Sequence, residues 1–143
     1  MRNEINIGVV RRYYEEVLNK GTVDLLDEIV VTDYTENDLL PGQFLGREGL
    51  KQRVIAFKEA FGQTFKIEDL LVDGDKVVVR WTCSGKHVGE FNGMPATGKR
   101  FTFAGIDIHR FKEGKMAELW RVADQLSQLQ QLEVIPQPEL ARA

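Results

Sequence analysis

Asp107, His109 and Arg121 fall within one stretch, KRFTFAGIDIHRFKEGKMAELWRVAD (residues 99–124), which reads as two strands joined by a tight turn at Glu113-Gly114. A strand turns alternate side chains to one face, so Phe101, Phe103, Gly105, Asp107, His109 and Phe111 share a side. An acid and an imidazole therefore stand among aromatic rings. Such an acid either faces water on an open sheet or sits in a partly apolar cavity, where its charge must be partnered or its pKa raised. On the return strand Ala117, Leu119 and Arg121 take one face and Glu118, Trp120 and Val122 the other, so Arg121 can meet Asp107 across the hairpin. An arginine partner favours the ionised carboxylate and lowers its basicity, which suits holding a polar substrate group or orienting water. The plain alternative is a cross-strand ion pair, worth less than about 1 kcal/mol if exposed. Asp107 with His109 would make an acid/base couple, because imidazole titrates near neutral pH; the alternative is a half-exposed histidine beside the turn.

Other side chains extend this candidate site. Asp124 either belongs to it or caps a helix that follows, with Gln128 behind it. His87, at a strand end before a loop, either lines a pocket mouth or ties the loop down. Tyr13, Tyr14 and Tyr34 can each offer a hydroxyl near a helical lid. Trp81, Met94, Phe101 and Phe103 would line a pocket for a planar or aliphatic ligand, or make an ordinary core.

Positioning these residues falls to three helices and a run of strands. Val10, Tyr13, Tyr14, Val17 and Leu18 recur on one helical face, with Gly21 as a C-terminal stop, so the first helix covers roughly 4–19. Thr22 can cap a short second helix that buries Leu25, Leu26 and Ile29 and ends near Val30. TDYTENDLLPGQFLG is rich in turn formers and reads as loop with at most a short strand. Leu50, Val54, Phe57 and Phe61 form the stripe of a third helix, closed by Gly62. From Thr64 the period changes to two: TFKIEDLLV and VVVRWTCSGK pair through a DGDK turn, and GEFNGMPATG loops on to the 99–124 hairpin. Helices followed by antiparallel strands indicate an α+β fold.

At 143 residues and 43% hydrophobic content the chain reads as one domain, 1–143, with about 134–143 a mobile or partner-docked tail. A formal net charge of −3, without a basic stripe, argues against nucleic acid as a partner. No apolar run reaches the roughly 20 residues that span a bilayer, and MRNEINIGVV lacks a signal-peptide core, so no membrane partner and a cytoplasmic location are expected. Cys83 reads as a small buried apolar residue. His87 and His109 lack zinc spacing, and no nucleophile elbow, phosphate loop or dinucleotide fingerprint occurs, so neither metal nor cofactor is expected.

RYYEEVLNKG, EGLKQ, GKHVGEFNGMPATGKRF, GIDIHRFKEGKMAELW and DQLSQLQQL together resemble the SnoaL-like polyketide cyclase (ester cyclase) branch of the NTF2-like superfamily. The resemblance implies a cone: three N-terminal helices packed on a curved antiparallel sheet, with an apolar interior pocket and an outer sheet face that often pairs subunits. It also implies cofactor-free ring closure by intramolecular aldol chemistry, in which an Asp on the last strand is the acid/base and a His on the preceding strand lies near it. Those two positions hold Arg121 and Asp107 here, so the carboxylate and the basic group are exchanged between strands. Asp124 matches an acid that recurs in the family, and Asn37 stands where a His often follows the Tyr34 position. The expected function is binding of a small carbonyl- or hydroxyl-bearing, polyketide-like molecule with acid/base isomerisation, cyclisation or hydration. The rival expectation is a non-catalytic ligand-binding or dimerisation module. Trp120 and Val122 on the outer face suggest a homodimer.

Overall fold

The computed structural model describes residues 2–39 and 42–136. Helix α1 (Arg2–Arg12) runs on into a π-helical turn over Tyr13–Leu18, and a 3-10 turn (Val23–Leu25) leads into the four-residue α2 (Leu26–Ile29). Strand β1 (Val30–Glu36) precedes the long α3 (Gly46–Phe61). Four strands then follow: β2 (Thr64–Asp73), β3 (Lys76–Lys86), β4 (Arg100–Lys112) and β5 (Lys115–Ala123), with α4 (Gln125–Gln131) at the end. The sheet order is β1-β5-β4-β3-β2. Its inner face carries the core against the helices, and breaks of register near Glu68 and at Arg110/Phe111 bend the strands.

The three helices, the sheet and the α+β class are as the sequence predicts, with three local differences. The loop expected from Thr32 onward begins with the last five residues of a seven-residue strand, and β1 pairs parallel to β5, so the sheet is antiparallel in all but one of its pairings. The Val30-Val31 pair and Tyr34 supply the β-formers that the neighbouring turn residues masked. Thr22 makes no side-chain cap. Of the expected tail, residues 137–143 lie outside the described residues, while Leu132 just before it is fully buried.

In β4 the odd residues from Phe101 to Phe111 are all buried and most even ones are exposed, so the acid and the imidazole do face inward. The β4–β5 turn places Glu113 (φ 51°) and Gly114 (φ 80°) in the left-handed region, as a two-residue hairpin requires. Gly105 is required for a different reason. It pairs with Trp81 on β3, and a Cβ there would lie 2.6 Å from Cη2 of that indole, which is itself packed edge-on between Phe65 and Phe103. A rigid ring with rings on either side cannot retreat cheaply. Gly105→Ala is expected to lower stability by about 2 kcal/mol, read as the shift in a urea melt.

Candidate active site

The π-helical turn decides which side chains reach the cone's interior. It inserts one residue into the helix, closed by the Asn19 N–H donating to Tyr14 O at 3.0 Å. Tyr13 and Tyr14, adjacent in sequence, are thereby both buried and stand edge-to-face at 5.1 Å. Each serves a different polar group.

Tyr14 serves the pair on β4. Its hydroxyl donates to Asp107 Oδ2, and its oxygen lies 2.7 Å from His109 Nε2. A hydroxyl has one proton to give, so with that proton on the Asp107 bond the imidazole must donate from Nε2. Nδ1 of His109 is then a bare lone pair, and it has no partner among the described residues. Burial holds the His109 pKa down to about 4, against the pull of the Asp107 carboxylate, so the ring is neutral at pH 7. Burial, followed by the nearby Asp107 charge, pushes the Tyr14 hydroxyl well above the usual phenol range. Asp107 is 4% exposed, and its Oδ1 makes no hydrogen bond among the described residues.

Tyr13 serves Arg53. On α3, Arg53 falls on the same stripe as Leu50, Val54 and Phe57 and is 4% exposed. Its Nε faces both Glu36 oxygens at 3.0 and 3.3 Å, and its Nη2 donates to the Tyr13 hydroxyl at 3.2 Å. Burial disfavours the guanidinium charge, but Tyr13, Glu36 and Tyr34 around it raise its pKa above the ordinary arginine value. The Tyr13 ring spans from this group to His109, at 5.5 Å. The interior thus holds two linked polar groups, Asp107–Tyr14–His109 and Glu36–Arg53–Tyr13.

Two cavities open beside them. One of about 410 Å³ lies between α3 and the 89–92 loop and is walled by Arg53, Ala56 and Phe91. Another of about 390 Å³ is walled by Tyr34, Thr35 and Glu36. Asp107 lines neither of these two cavities. The Tyr13 ring lies between Arg53 and His109, the neighbour of Asp107.

The expected residues therefore divide. Asp107, His109 and Tyr14 meet directly. Asp107 and Arg121 are cross-strand partners in register, yet no ion pair joins them among the described residues. Arg121 sits beside Glu36 and Asp38 at a narrow crevice, its pKa lowered by burial and by Arg53. Tyr34 is buried with a hydroxyl that lacks a described partner. Trp81 and Phe103 pack edge-on at 5.5 Å within the core, and the Trp81 N–H has no partner among the described residues. Asp124 takes the capping role, accepting from the Ser127 N–H at 3.1 Å at the exposed start of α4. Asn37 is exposed and ties β1's end to β5 through Leu119 O at 2.9 Å. His87 is fully buried and ties down the loop, accepting the Thr97 N–H at Nδ1. Met94 is half-buried in that loop, in a turn closed by paired backbone bonds with Phe91.

Arg53 and Glu36 are the functional candidates the sequence reading overlooked. Each carried a signal: Arg53 is a charge on the apolar stripe of α3, and Glu36 shares inward parity with Tyr34 on β1. Among the described residues no group of His, Cys, Asp and Glu is placed to hold a metal ion, and no helix is long and apolar enough to cross a membrane.

Comparison with known proteins supplies the family. Aklanonic acid methyl ester cyclase DauD of Streptomyces sp. (strain C5) is 32% identical over 138 residues, covering 93% of this chain and 85% of the relative. Nogalonic acid methyl ester cyclase of Streptomyces nogalater is 28% identical over 103 residues, covering 70% of this chain and 77% of that one. Among solved structures, TsrD from Streptomyces laurentii superposes with a TM-score of 0.79 at 29% identity, over 94% of this chain and 96% of its own. The model of the SnoaL-like polyketide cyclases matches residues 8–132, and the chain belongs to that family.

Proposed function

We propose that this protein is a cofactor-free cyclase that closes a ring in a small, carbonyl-bearing polyketide-like molecule, with Asp107 as acid and base. The observation that carries the reading is the Asp107 carboxylate: buried, fixed through Oδ2 by Tyr14, and without a partner at Oδ1 among the described residues. In the step proposed, Oδ1 takes the proton from carbon next to a carbonyl, and the electron pair forms an enolate. The enolate carbon bonds to a second carbonyl of the same molecule. The resulting alkoxide takes the proton back from the Asp107 carboxyl, which restores the enzyme with no net oxidation. Among the described residues the Trp81 N–H and the Tyr34 hydroxyl are buried without partners, and in this reading they serve as donors to a developing enolate oxygen. Arg121 and His109 are charge and polar neighbours in this reading, not the base: the imidazole keeps Tyr14 in place.

The relatives' names point to polyketide methyl esters as the compounds to try first. Incubation with aklanonic acid methyl ester in D2O should give a cyclised isomer of the substrate, the hydrogen lost from the attacking carbon being replaced there by the new carbon–carbon bond. Deuterium uptake with no cyclisation would point to an isomerase; neither would remove the catalytic reading. A binding-only module is the second reading, favoured by one observation: Asp107 lines neither of the two cavities that open beside the buried polar groups.

The same reading includes a homodimer. On the outer sheet face Val122 is 80% exposed and pairs with Ile106, itself 46% exposed. Sedimentation at micromolar concentration should show twice the 16.3 kDa chain mass, and Val122→Lys should shift it towards monomer. A wild-type chain sedimenting only as monomer would remove the dimer from the proposal.

A further inference from the structure

We propose that the cavity between α3 and the 89–92 loop holds an uncharged, planar, oxygen-bearing ligand, with Arg53 donating from Nη1 to its acceptor atom. The proposal rests on the reading above only in taking this cavity as the mouth of the substrate site.

Arg53 is the one cation among the described residues of the cavity wall, and two of its three nitrogens already donate. Nε is held by Glu36 and Nη2 by Tyr13, whereas Nη1 donates to no described residue. A guanidinium held on two sides presents its third nitrogen in a fixed direction, at little further cost in side-chain freedom. Its charge is already matched by Glu36, and Glu59 and Glu90 stand in the same wall. An anionic ligand would meet three carboxylates for one guanidinium, so a neutral acceptor, such as a ketone or an ester carbonyl, fits better than a carboxylate. The wall opposite is aromatic: Phe91 stacks on Phe57 at 4.9 Å with an interplanar angle of 27° and leans on Phe61 at 5.1 Å. Such a surface accepts a flat ring system by offset stacking. Arg53 is thus a positioning residue, and through Tyr13 it sits one ring from the Asp107 group.

The test uses the full chain and a matched pair of probes: methyl anthraquinone-2-carboxylate and the free acid, titrated at pH 7 by calorimetry. The ester is expected to bind at least tenfold tighter than the acid and to shift the Arg53 guanidinium resonances in a nitrogen-15 spectrum. Because Arg53→Gln alone strands Glu36, the variant is the double Arg53→Gln/Glu36→Gln, which should weaken ester binding about tenfold. Glu59→Gln/Glu90→Gln should raise the acid's affinity and narrow the gap. Equal or tighter binding of the acid, an unaltered ester affinity in the Arg53/Glu36 variant, or no binding of either probe at millimolar concentration overturns the proposal. Ester binding without turnover of any substrate leaves it standing and sinks only the cyclase reading.

Discussion

Asp107→Asn is expected to lower turnover about 10³-fold, the usual yield of a positioned acid/base group, while the chain folds as before. The amide matches the carboxylate in shape, and its carbonyl can still accept the Tyr14 hydroxyl that now holds Oδ2. What it cannot do is take a proton at the atom that lacks a partner, Oδ1. Stability should change by about 1 kcal/mol, because a charge-assisted hydrogen bond weakens while the cost of burying a charge disappears. The two readouts separate the roles: a calorimetric melt reports the fold, and single-turnover kinetics with a methyl ester substrate report the chemistry. Full activity in this variant would exclude Asp107 as the base, and the family's proton-transfer role would then need another carboxylate near the interior, of which Glu36 is the buried candidate. Tyr14→Phe offers a finer cut. It removes the hydroxyl that fixes both Asp107 and His109, so a base that acts only when held should lose rate with little change in ligand affinity.

The inward face of β4 was legible because it needs only strand periodicity; the two-residue turn alone would set Asp107 opposite Trp120, and the bulge at Arg110/Phe111 shifts the register by one to set it opposite Arg121. Contact between those two side chains was not legible. Register fixes Cα partners, but the carboxylate's partner is settled by what the helices deliver, and here α1 delivers Tyr14. That delivery depends on the π turn at Tyr13–Leu18, which α-helical spacing does not announce. The same reasoning covers the aromatic lining. Trp81 and Phe103 face inward as their parity requires, yet whether an inward ring walls a cavity or fills it depends on the ring next to it; Phe65 and Phe103 against Trp81 fill it. β1 was obscured because its turn-forming neighbours, Asp33 and the residues from Asn37 on, weigh against a strand that tertiary pairing with β5 enforces. Asp124 was the clearest case of two roles compatible with one sequence, and a hydrogen bond to Ser127 N decides for the cap.

Acid should destabilise this protein through His109 before its surface carboxylates account for the loss. The ring is fully buried and its folded pKa is held down to about 4, whereas in the unfolded chain it titrates near 6.5. The unfolded state therefore binds the extra proton first. The stabilising difference is complete above pH 6.5 and drains away as pH falls towards 4, at up to about 1.4 kcal/mol per pH unit, or about 3 kcal/mol in all. The groups facing the ring set the direction: burial and the Arg53 and Arg121 charges oppose its protonation, and the Asp107 carboxylate alone favours it. Protonation would also oblige Nδ1 to donate where no acceptor stands among the described residues, a further cost in a dry interior. His109→Gln separates this effect from the carboxylates, since the amide can donate to Tyr14 in place of Nε2 and does not titrate. Urea melts from pH 7.5 to 4 should show wild type losing about 3 kcal/mol more than the variant. Parallel curves, or an imidazole resonance titrating at or above pH 6.5 in the folded protein, would mean that the ring is not held neutral by its surroundings. The base at Asp107 would then work beside a cation instead of a neutral hydrogen-bond donor.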